Sequence, residues 1–387
     1  MTKADDINKW LMSQGRVLGD MTLIVEGYIA LLIEAGVPLS RANIAQRFAN
    51  PLLIGWGVVW TPSDTSSYEV THVTLDTSSY VGVPFHYVLT NHKPLHKNLL
   101  NLEEDNDHPV YAEFAAKGGT DFFATFLTYG DGSEHGCTYV TDAHDGFKEE
   151  ELSLIQETRT GLSSALEPIA VRKSMASLLQ TYLGVGPAKK VDGGTIKRGE
   201  QRKLEAVVMF TALRGFTQKT ETWEEKKLLE ALNDYFEVVV QAVENHGGDV
   251  LKFMGDGILS IFPFESSDHS TERCREAIEA ARDAITALVK LNQVRTQAGE
   301  NELAMGIGLN RGTVTYGNIG SPGRLDFTVL GPAVNLASRV QDLCKTVGDP
   351  VLSTESVANA NMEYFASRGH HEVRGLEEPV EVFALKL

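Results

Sequence analysis

The sequence has few cysteines and little positive charge. Its 387 residues include three cysteines, which are Cys137, Cys274 and Cys344. Because they are widely spaced and odd in number, they argue against a disulfide framework and favour a reducing compartment. The 35 lysines and arginines are outnumbered by 52 aspartates and glutamates, so the net charge is −17. This charge argues against a general nucleic-acid or anionic-membrane binder, and a phosphate ligand would need a local basic cluster.

Long apolar segments are also lacking. The first ten residues, MTKADDINKW, contain no apolar stretch of the kind found in a secretory signal. The most apolar of the long uncharged runs, residues 48–63, contains Pro51, Pro62 and two glycines and is too short to span a bilayer. The sequence therefore predicts a cytoplasmic protein without a membrane span.

The length of the chain predicts more than one domain. With 42% hydrophobic and 22% charged residues, its composition is that of ordinary globular proteins, and 387 residues exceed the usual size of a single core. We expect an N-terminal domain over residues 1–150, a helix and linker over residues 151–200, and a C-terminal domain over residues 201–387.

The N-terminal region shows first a helical and then a strand-like pattern. Apolar residues recur at helical spacing over residues 7–35, and Gly36 and Pro38 end the pattern. Strand-like segments follow at residues 52–60, 68–75, 122–129 and 137–141. Residues 91–108 are polar and irregular. This order predicts an α+β domain with a mainly antiparallel sheet and helices at both ends.

The end of this region carries a resemblance to a known domain. Residues 136–167, GCTYVTDAHDGFKEEELSLIQETRTGLSSALE, combine a last strand, a polar turn ending in Gly-Phe, and a helix. They resemble the end of a GAF sensor domain. The resemblance implies a GAF-like domain that takes an unknown small-molecule effector or simply dimerises.

Histidines are concentrated in the same region. Seven of the eleven lie there, namely His72, His86, His92, His96, His108, His135 and His144. A metal, haem or pH-sensing pocket is one interpretation, and ordinary surface and turn histidines are the other. The sequence favours the second, because His92 and His96 alone lie four apart and Pro94 between them disfavours a shared helix face.

A seven-residue apolar repeat begins near residue 152. Its positions are Ile155, Leu162, Ile169, Ala176 and Leu183, and the companion position holds Leu152, Arg159, Leu166, Lys173 and Gln180. The repeat favours a parallel two-helix seam, which Pro168 would end or kink. The alternative is one amphipathic helix packed on its own domain. Residues 184–199, rich in glycine and lysine, predict an interdomain linker.

The C-terminal region is organised around residues 206–217, AVVMFTALRGFT. Residues 207–210 predict a strand buried on both faces, and residues 211–217 predict a turn before a helix. Because the N–H groups at a helix N-terminus lack intrahelical partners, such a junction can hold a phosphate.

The remaining elements follow from the apolar pattern. We expect helices at residues 223–244, 270–297 and 333–346, a hairpin of strands 250–253 and 258–262, separate strands at 303–309, 313–316 and 326–329, and a closing pair of strands. This order, βααββαβ with extra strands, predicts a sheet with helices on one face.

Four separated motifs make this region recognisable. They are FTALRGFT, GGDVLKFMGDG, GIGLNRGTVTYGNIGS and FTVLGPAVNLASR. In this order and at these spacings they resemble the class III nucleotidyl cyclases, the adenylate and guanylate cyclases, over about residues 204–387. The resemblance implies a ferredoxin-like α+β domain that converts a nucleoside triphosphate into a 3′,5′-cyclic nucleotide and pyrophosphate.

The resemblance also implies a pair of metal-binding carboxylates. Two divalent ions, Mg²⁺ or Mn²⁺, about 4 Å apart can stabilise the attacking and leaving oxygens. Asp256 matches one ligand position, although an aspartate at a hairpin tip is commonly a turn former. The family has aspartate at the second position, where this chain has Ala212. A methyl group cannot bind a metal, so we expect little or no cyclase activity.

The remaining site residues are carried over position by position. Lys252 matches the adenine-type base choice, with Thr328 as its partner. Asn335 would orient the ribose, and Arg339 would stabilise charge on the α-phosphate. The loop residues Leu213, Arg214, Gly215 and Phe216 would hold the β- and γ-phosphates, and Arg374 would reach the triphosphate.

In this family each site combines metal ligands from one protomer with base, ribose and phosphate contacts from the other, which implies a head-to-tail homodimer with ATP as substrate. The leading interpretation is an adenylate cyclase inactivated at one position. The alternatives are a non-catalytic nucleotide-binding homologue that regulates a partner, and a cyclase for guanine or pyrimidine nucleotides.

Overall fold

The computed structural model describes residues 2–47, 50–51, 53–72, 83–103 and 106–387. The chain divides into two compact units, residues 1–178 and 179–387. Among the described helices, none has both the length and the apolarity needed to cross a bilayer.

The first unit is an antiparallel sheet with helices. Its helices are α1 Lys3–Trp10, α2 Met21–Glu34, α3 Pro84–Asn91, α4 Pro109–Ala116 and α5 Glu149–Leu183, and a π-helical turn, Leu11–Gly15, follows α1. Its strands are β1 Arg41–Arg47, β2 Leu53–Thr61, β3 Asp64–Thr71, β4 Leu95–Asn98, β5 Asp121–Thr128 and β6 Glu134–Thr141. The strand order is β3-β2-β1-β6-β5-β4, and every neighbouring pair is antiparallel.

Several elements of this unit differ from the sequence-based expectation. Strand β1 and helices α3 and α4 are additional, and β4 lies in the segment expected to be irregular. Both helices begin at a proline, Pro84 or Pro109, a favoured first helical residue. Part of the expected strand at residues 68–75 lies outside the described residues.

The apolar repeat packs on its own domain in its first half. Ile155, Leu162 and Ile169 are buried in the same core as Ile24 and Tyr28 of α2. Of the two expected effects of Pro168, an end or a kink of the helix, the first is wrong, since α5 continues to Leu183. Proline removes one backbone donor, and the buried neighbours on both sides hold the helix in place.

Beyond residue 170, α5 exposes large apolar side chains. Val171, Met175 and Tyr182 are exposed by 58%, 51% and 75%. A helix, α6 Val185–Asp192, follows within the segment expected to be a linker. The N–H of Gly186 near its start donates to Asp249. Residues 184–199 are therefore partly structured rather than a plain glycine-rich connection.

His135 is a buried histidine of the first unit rather than an evident ligand. The residue is 2% exposed, Nδ1 accepts the Arg47 N–H at 3.0 Å, and Nε2 lies 2.9 Å from the Ser133 hydroxyl. Burial lowers the pKa of His135 from 6.5 to about 4. Among the described residues, no three or more histidine, cysteine, aspartate or glutamate side chains form a metal-binding group.

We expect His135 to make the first unit acid-sensitive. The folded-state pKa lies below the unfolded value, so the unfolded chain binds the additional proton and stability falls as the pH drops from 6.5 towards 4. The loss attributable to His135 is about 3 kcal/mol. Urea unfolding followed by tryptophan fluorescence at pH 7 and pH 4.5 measures the change in the free energy of unfolding. The His135→Gln variant should show a change smaller by this amount. An unchanged dependence in that variant would contradict the assignment.

The second unit contains a larger sheet. Its remaining helices are α7 Phe216–Thr222, α8 Glu225–Asn245, α9 Ser270–Gln297, α10 Pro332–Val347 and α11 Glu355–Ala358. Its strands are β7 Gln201–Leu213, β8 Asp249–Met254, β9 Gly257–Phe264, β10 Met305–Ser321, β11 Arg324–Leu330, β12 Val351–Thr354, β13 Phe365–His371 and β14 Val380–Leu385. The order is β13-β14-β12-β10-β7-β9-β8, and β11 folds back on the far end of β10.

Three features of this unit correct the expectation. One continuous strand, β10, replaces the two strands expected at residues 303–309 and 313–316 and extends to Ser321, and three strands close the chain instead of two. Helices cover both faces of the sheet rather than one. Helices α8 and α9 pack with Val207 and Met209, whereas α10 packs Ala333 and Ala337 against the alternate residues Ala206 and Val208. Because β7 is buried on both faces, each face needs its own helical layer.

Candidate nucleotide and metal site

The end of β7 lies beside the hairpin formed by β8 and β9. Ala212 is the Cα partner of Gly257, the residue directly after Asp256. Burial raises the pKa of the Asp256 carboxyl group, against hydrogen bonds from the backbone N–H groups of Asp256 and Leu213. The structure thus places the Asp256 carboxylate at the end of β7, within hydrogen-bond reach of the residue after Ala212.

The loop after β7 is shorter than expected, because the strand continues to Leu213. The Leu213 side chain belongs to the core, and the Arg214 N–H donates to the Ala304 carbonyl at 2.7 Å. Gly215 adopts a left-handed conformation, φ 71°, and caps the start of α7. Since the N–H groups of Leu213 and Arg214 are engaged, Gly215 and Phe216 are the loop residues whose N–H groups remain for an anion.

The Arg214 side chain has a structural position. Its Nη2 donates to the carbonyl oxygens of Cys344 at 3.0 Å and Asp349 at 2.5 Å. These oxygens belong to the end of α10 and the turn before β12. Arg214 therefore ties β7 to the far end of α10 through its side chain, and its contribution to a phosphate site is limited to the loop geometry.

Lys252 on β8 has an ionic partner that the sequence did not indicate. Its Nζ forms a short ion pair with Asp326 on β11, and the two side chains are 40% and 43% exposed. Thr328 lies two residues further along β11, on the same face of the strand as Asp326, and is 8% exposed. Because alternate residues of a strand share a face, the position of Asp326 two residues before Thr328 could have indicated that both face the same site. The contact between β8 and β11 could not be predicted from the sequence.

Asn335 and Arg339 lie one turn apart in the first half of α10, as their spacing predicts. Asn335 is exposed, and Arg339 is half-buried and pairs with Asp342 at 3.3 Å. Asn310 holds the start of the helix, because its Nδ2 donates to the Ala333 carbonyl at 3.0 Å. Sequence reasoning did not identify Asn310.

Arg374 lies apart from these elements in the chain, in an exposed turn between β13 and β14.

The comparison with known families decides the identity of this region. Residues 199–387 match the family model described as the adenylate and guanylate cyclase catalytic domain. This segment belongs to that family.

Curated relatives of the cyclase domain include adenylate cyclases. The adenylate cyclase of Anabaena cylindrica is 33% identical over 200 residues, which cover 49% of this chain and 38% of the relative. Adenylate cyclase 1 of Rhizobium meliloti (strain 1021) is 26% identical over 199 residues, covering 50% of this chain and 29% of the relative. The chain therefore spans less than two fifths of the length of either protein.

A solved structure also resembles the cyclase domain. The crystal structure of the adenylyl cyclase CyaB from P. aeruginosa is 25% identical and covers 48% of this chain and 95% of its own, with a TM-score of 0.42.

The donor set of this cyclase domain does not fit two divalent ions. Hard cations need oxygen ligands, and a two-ion site needs carboxylates placed to hold both ions. Asp256 supplies one carboxylate, whereas Ala212 supplies none. Among the described residues, no group of three or more histidine, cysteine, aspartate or glutamate side chains compensates.

Proposed function

We propose that this protein with an aspartate at position 212 is an adenylate cyclase, which converts ATP into 3′,5′-cyclic AMP and pyrophosphate by two-metal catalysis. Ala212 at that position inactivates the present chain. One observation carries the proposal. Ala212 lies across from Gly257, beside the Asp256 carboxylate, where a second carboxylate would share an ion with Asp256. Every other family position carried over from the sequence is intact, which favours a single replacement in a working enzyme over general loss of the site.

The chain retains the groups needed to bind ATP. Lys252 donates to the adenine N1 acceptor, and the Thr328 hydroxyl accepts from the adenine amino group. Asn335 orients the ribose. A planar guanidinium, that of Arg339, takes up charge on the α-phosphate.

The triphosphate has two further sets of donors. The N–H groups of Gly215 and Phe216 face the β- and γ-phosphates at the start of α7, and Arg374 adds positive charge. The absence of a carboxylate at position 212 affects turnover more than nucleotide binding, since none of these donors depends on a carboxylate there.

The proposal includes a head-to-tail homodimer and a sensor. The exposed apolar residues Val171, Met175 and Tyr182 on α5 support pairing of this helix with a second copy. The first unit is proposed to be a GAF-like domain that binds a small effector and acts on the cyclase domain through α5. We place the protein in the cytoplasm.

A non-catalytic, nucleotide-binding regulatory module is the second candidate function. The missing carboxylate at position 212 favours it directly. The Ala212→Asp variant separates the two, because recovered synthesis of cyclic AMP supports the enzyme and continued silence supports the regulatory module.

We expect Lys252 to set the preference for adenine. In the Ala212→Asp background, ATP, GTP, CTP and UTP are compared as substrates with Mg²⁺ and with Mn²⁺. ATP should give the highest kcat/KM, and Lys252→Glu should lower it for ATP tenfold or more, because a charged donor to the base is replaced by an acceptor. Lys203→Glu, an exposed substitution on β7, is the matched control. A preference for GTP before substitution would instead establish the guanine alternative.

A further inference from the structure

A cavity of about 270 Å³ lies in the first unit. It is bordered by strands β1, β2, β3, β5 and β6 and by helices α3 and α4, and the two helices contribute Phe85 and Phe114 among other apolar side chains. One buried water needs only about 15 Å³ of such space, so the cavity has room for an organic molecule.

The charge of this cavity is opposite to that of the protein. Its charged lining residues are Arg41 and Arg47, and none of the described lining residues is an aspartate or a glutamate. The whole chain carries a net charge of −17. A site with two cations and no described anion in such an acidic protein selects for a negatively charged ligand.

Arg41 has no anionic partner among the described residues. Its guanidinium lies over the Phe114 ring at 5.1 Å, and burial lowers the pKa of Arg41. No carboxylate among the described residues pairs with it. A partly buried cation held against an aromatic face, with its fork of donors open, is suited to a planar or tetrahedral anion.

The walls around Arg41 are preformed. The Tyr68 hydroxyl donates to Asn43 Oδ1 at 2.9 Å, and Asn43 is paired in register with Thr138 of β6. A Cβ at Gly57 would lie 2.6 Å from the Tyr68 hydroxyl, so the tyrosine ring lies directly over a glycine. At Gly136 a Cβ would lie 2.2 Å from the Phe85 ring. Glycine at both positions lets the aromatic side chains approach the sheet.

We propose that this cavity binds a small organic anion, whose carboxylate or phosphate pairs with Arg41 and whose apolar body lies against Phe85 and Phe114. Binding of the anion depends on the cavity alone. Its effect on catalysis rests on the proposed sensor function of the first unit.

Binding is tested on the full chain with three matched probes, 3-phenylpropionate, phenyl phosphate and the neutral 3-phenylpropanamide, titrated calorimetrically and by ligand-observed NMR. At least one anion should bind tenfold or more tightly than the amide. Whether the carboxylate or the phosphate binds more tightly identifies the anion chemistry, and either result supports the proposal. Equal affinity for anion and amide, or no binding of any probe at millimolar concentration, would overturn it.

Variants locate the site. Arg41→Gln should remove the preference for the anion, Arg41→Lys should retain part of it, and Arg16→Gln, at an exposed position in the same unit, should change nothing. Ala45→Phe fills the cavity and should weaken all three probes while far-UV circular dichroism stays native. A preference that survives Arg41→Gln would refute the site. Anion binding without any change in cyclase activity of the Ala212→Asp protein would keep the site and refute the sensor function.

Discussion

Replacing Ala212 by aspartate is expected to raise the rate of cyclic AMP formation at least about 1,000-fold. The substitution returns a carboxylate to the strand end beside Asp256, because Ala212 and Gly257 are partners in the ladder between β7 and β9. Metal-centred stabilisation of charge is worth several kcal/mol, and about 4 kcal/mol corresponds to a thousandfold change in rate. The rates are measured with saturating ATP and Mn²⁺, by separating cyclic AMP from ATP chromatographically.

Two variants distinguish metal binding from mere filling of space. Ala212→Asn has nearly the same shape as the aspartate variant but no charge, and it should remain almost silent. Adding Asp256→Asn to Ala212→Asp should return the rate to that of the present chain. If the present chain already turns over ATP as fast as the Ala212→Asp variant, the interpretation of Ala212 as an inactivating residue is wrong.

A mixture of two inactive chains is expected to produce cyclic AMP. The present chain lacks the carboxylate at position 212 but retains Asn335 and Arg339. A second chain carries Ala212→Asp together with Arg339→Ala, which should cost it 10²- to 10³-fold in kcat. In a head-to-tail dimer one mixed site receives its metal ligands from the second chain and its Arg339 from the first. Random pairing should restore about a quarter of the activity of the Ala212→Asp homodimer, because half of the dimers are mixed and each has one complete site.

In the control, both chains lack Arg339. When the first chain also carries Arg339→Ala, no mixed site is complete and the mixture should stay silent. Co-purification of two differently tagged chains confirms that mixed dimers form. Mixed dimers that show no more activity than the second chain alone would show that each site is built within one protomer.

The local character of the second unit was predictable, but its long-range pairing was not. The spacing of apolar residues predicts α9 with the observed bounds, and the hairpin around Asp256 follows from its glycines. The two helical layers were missed because a strand buried on both faces does not reveal which helix covers which face. The ion pair of Lys252 with Asp326 joins residues 74 positions apart and depends on β11 folding back along β10.

The first unit shows a different limit of sequence patterns. The repeat in α5 has the same spacing whether its apolar side faces a second helix or its own sheet. In the structure Ile155 and Leu162 face their own core, and the exposed large apolar residues of the helix, Val171, Met175 and Tyr182, lie in its later part. The cavity at Arg41 is formed by glycines and aromatic side chains on different strands and helices, so no contiguous stretch of sequence predicts it.

The central claim is that Ala212 removes a metal ligand while the nucleotide site remains. The most direct test counts Mn²⁺ ions bound in the presence of a non-cyclisable ATP analogue, for the present chain and for Ala212→Asp, by paramagnetic resonance of free Mn²⁺. We expect both proteins to bind the analogue, the variant to bind one more ion per site, and the affinity of the present chain for Mn²⁺ to be at least tenfold weaker. Equal ion counts and equal affinities in the two proteins would contradict the account.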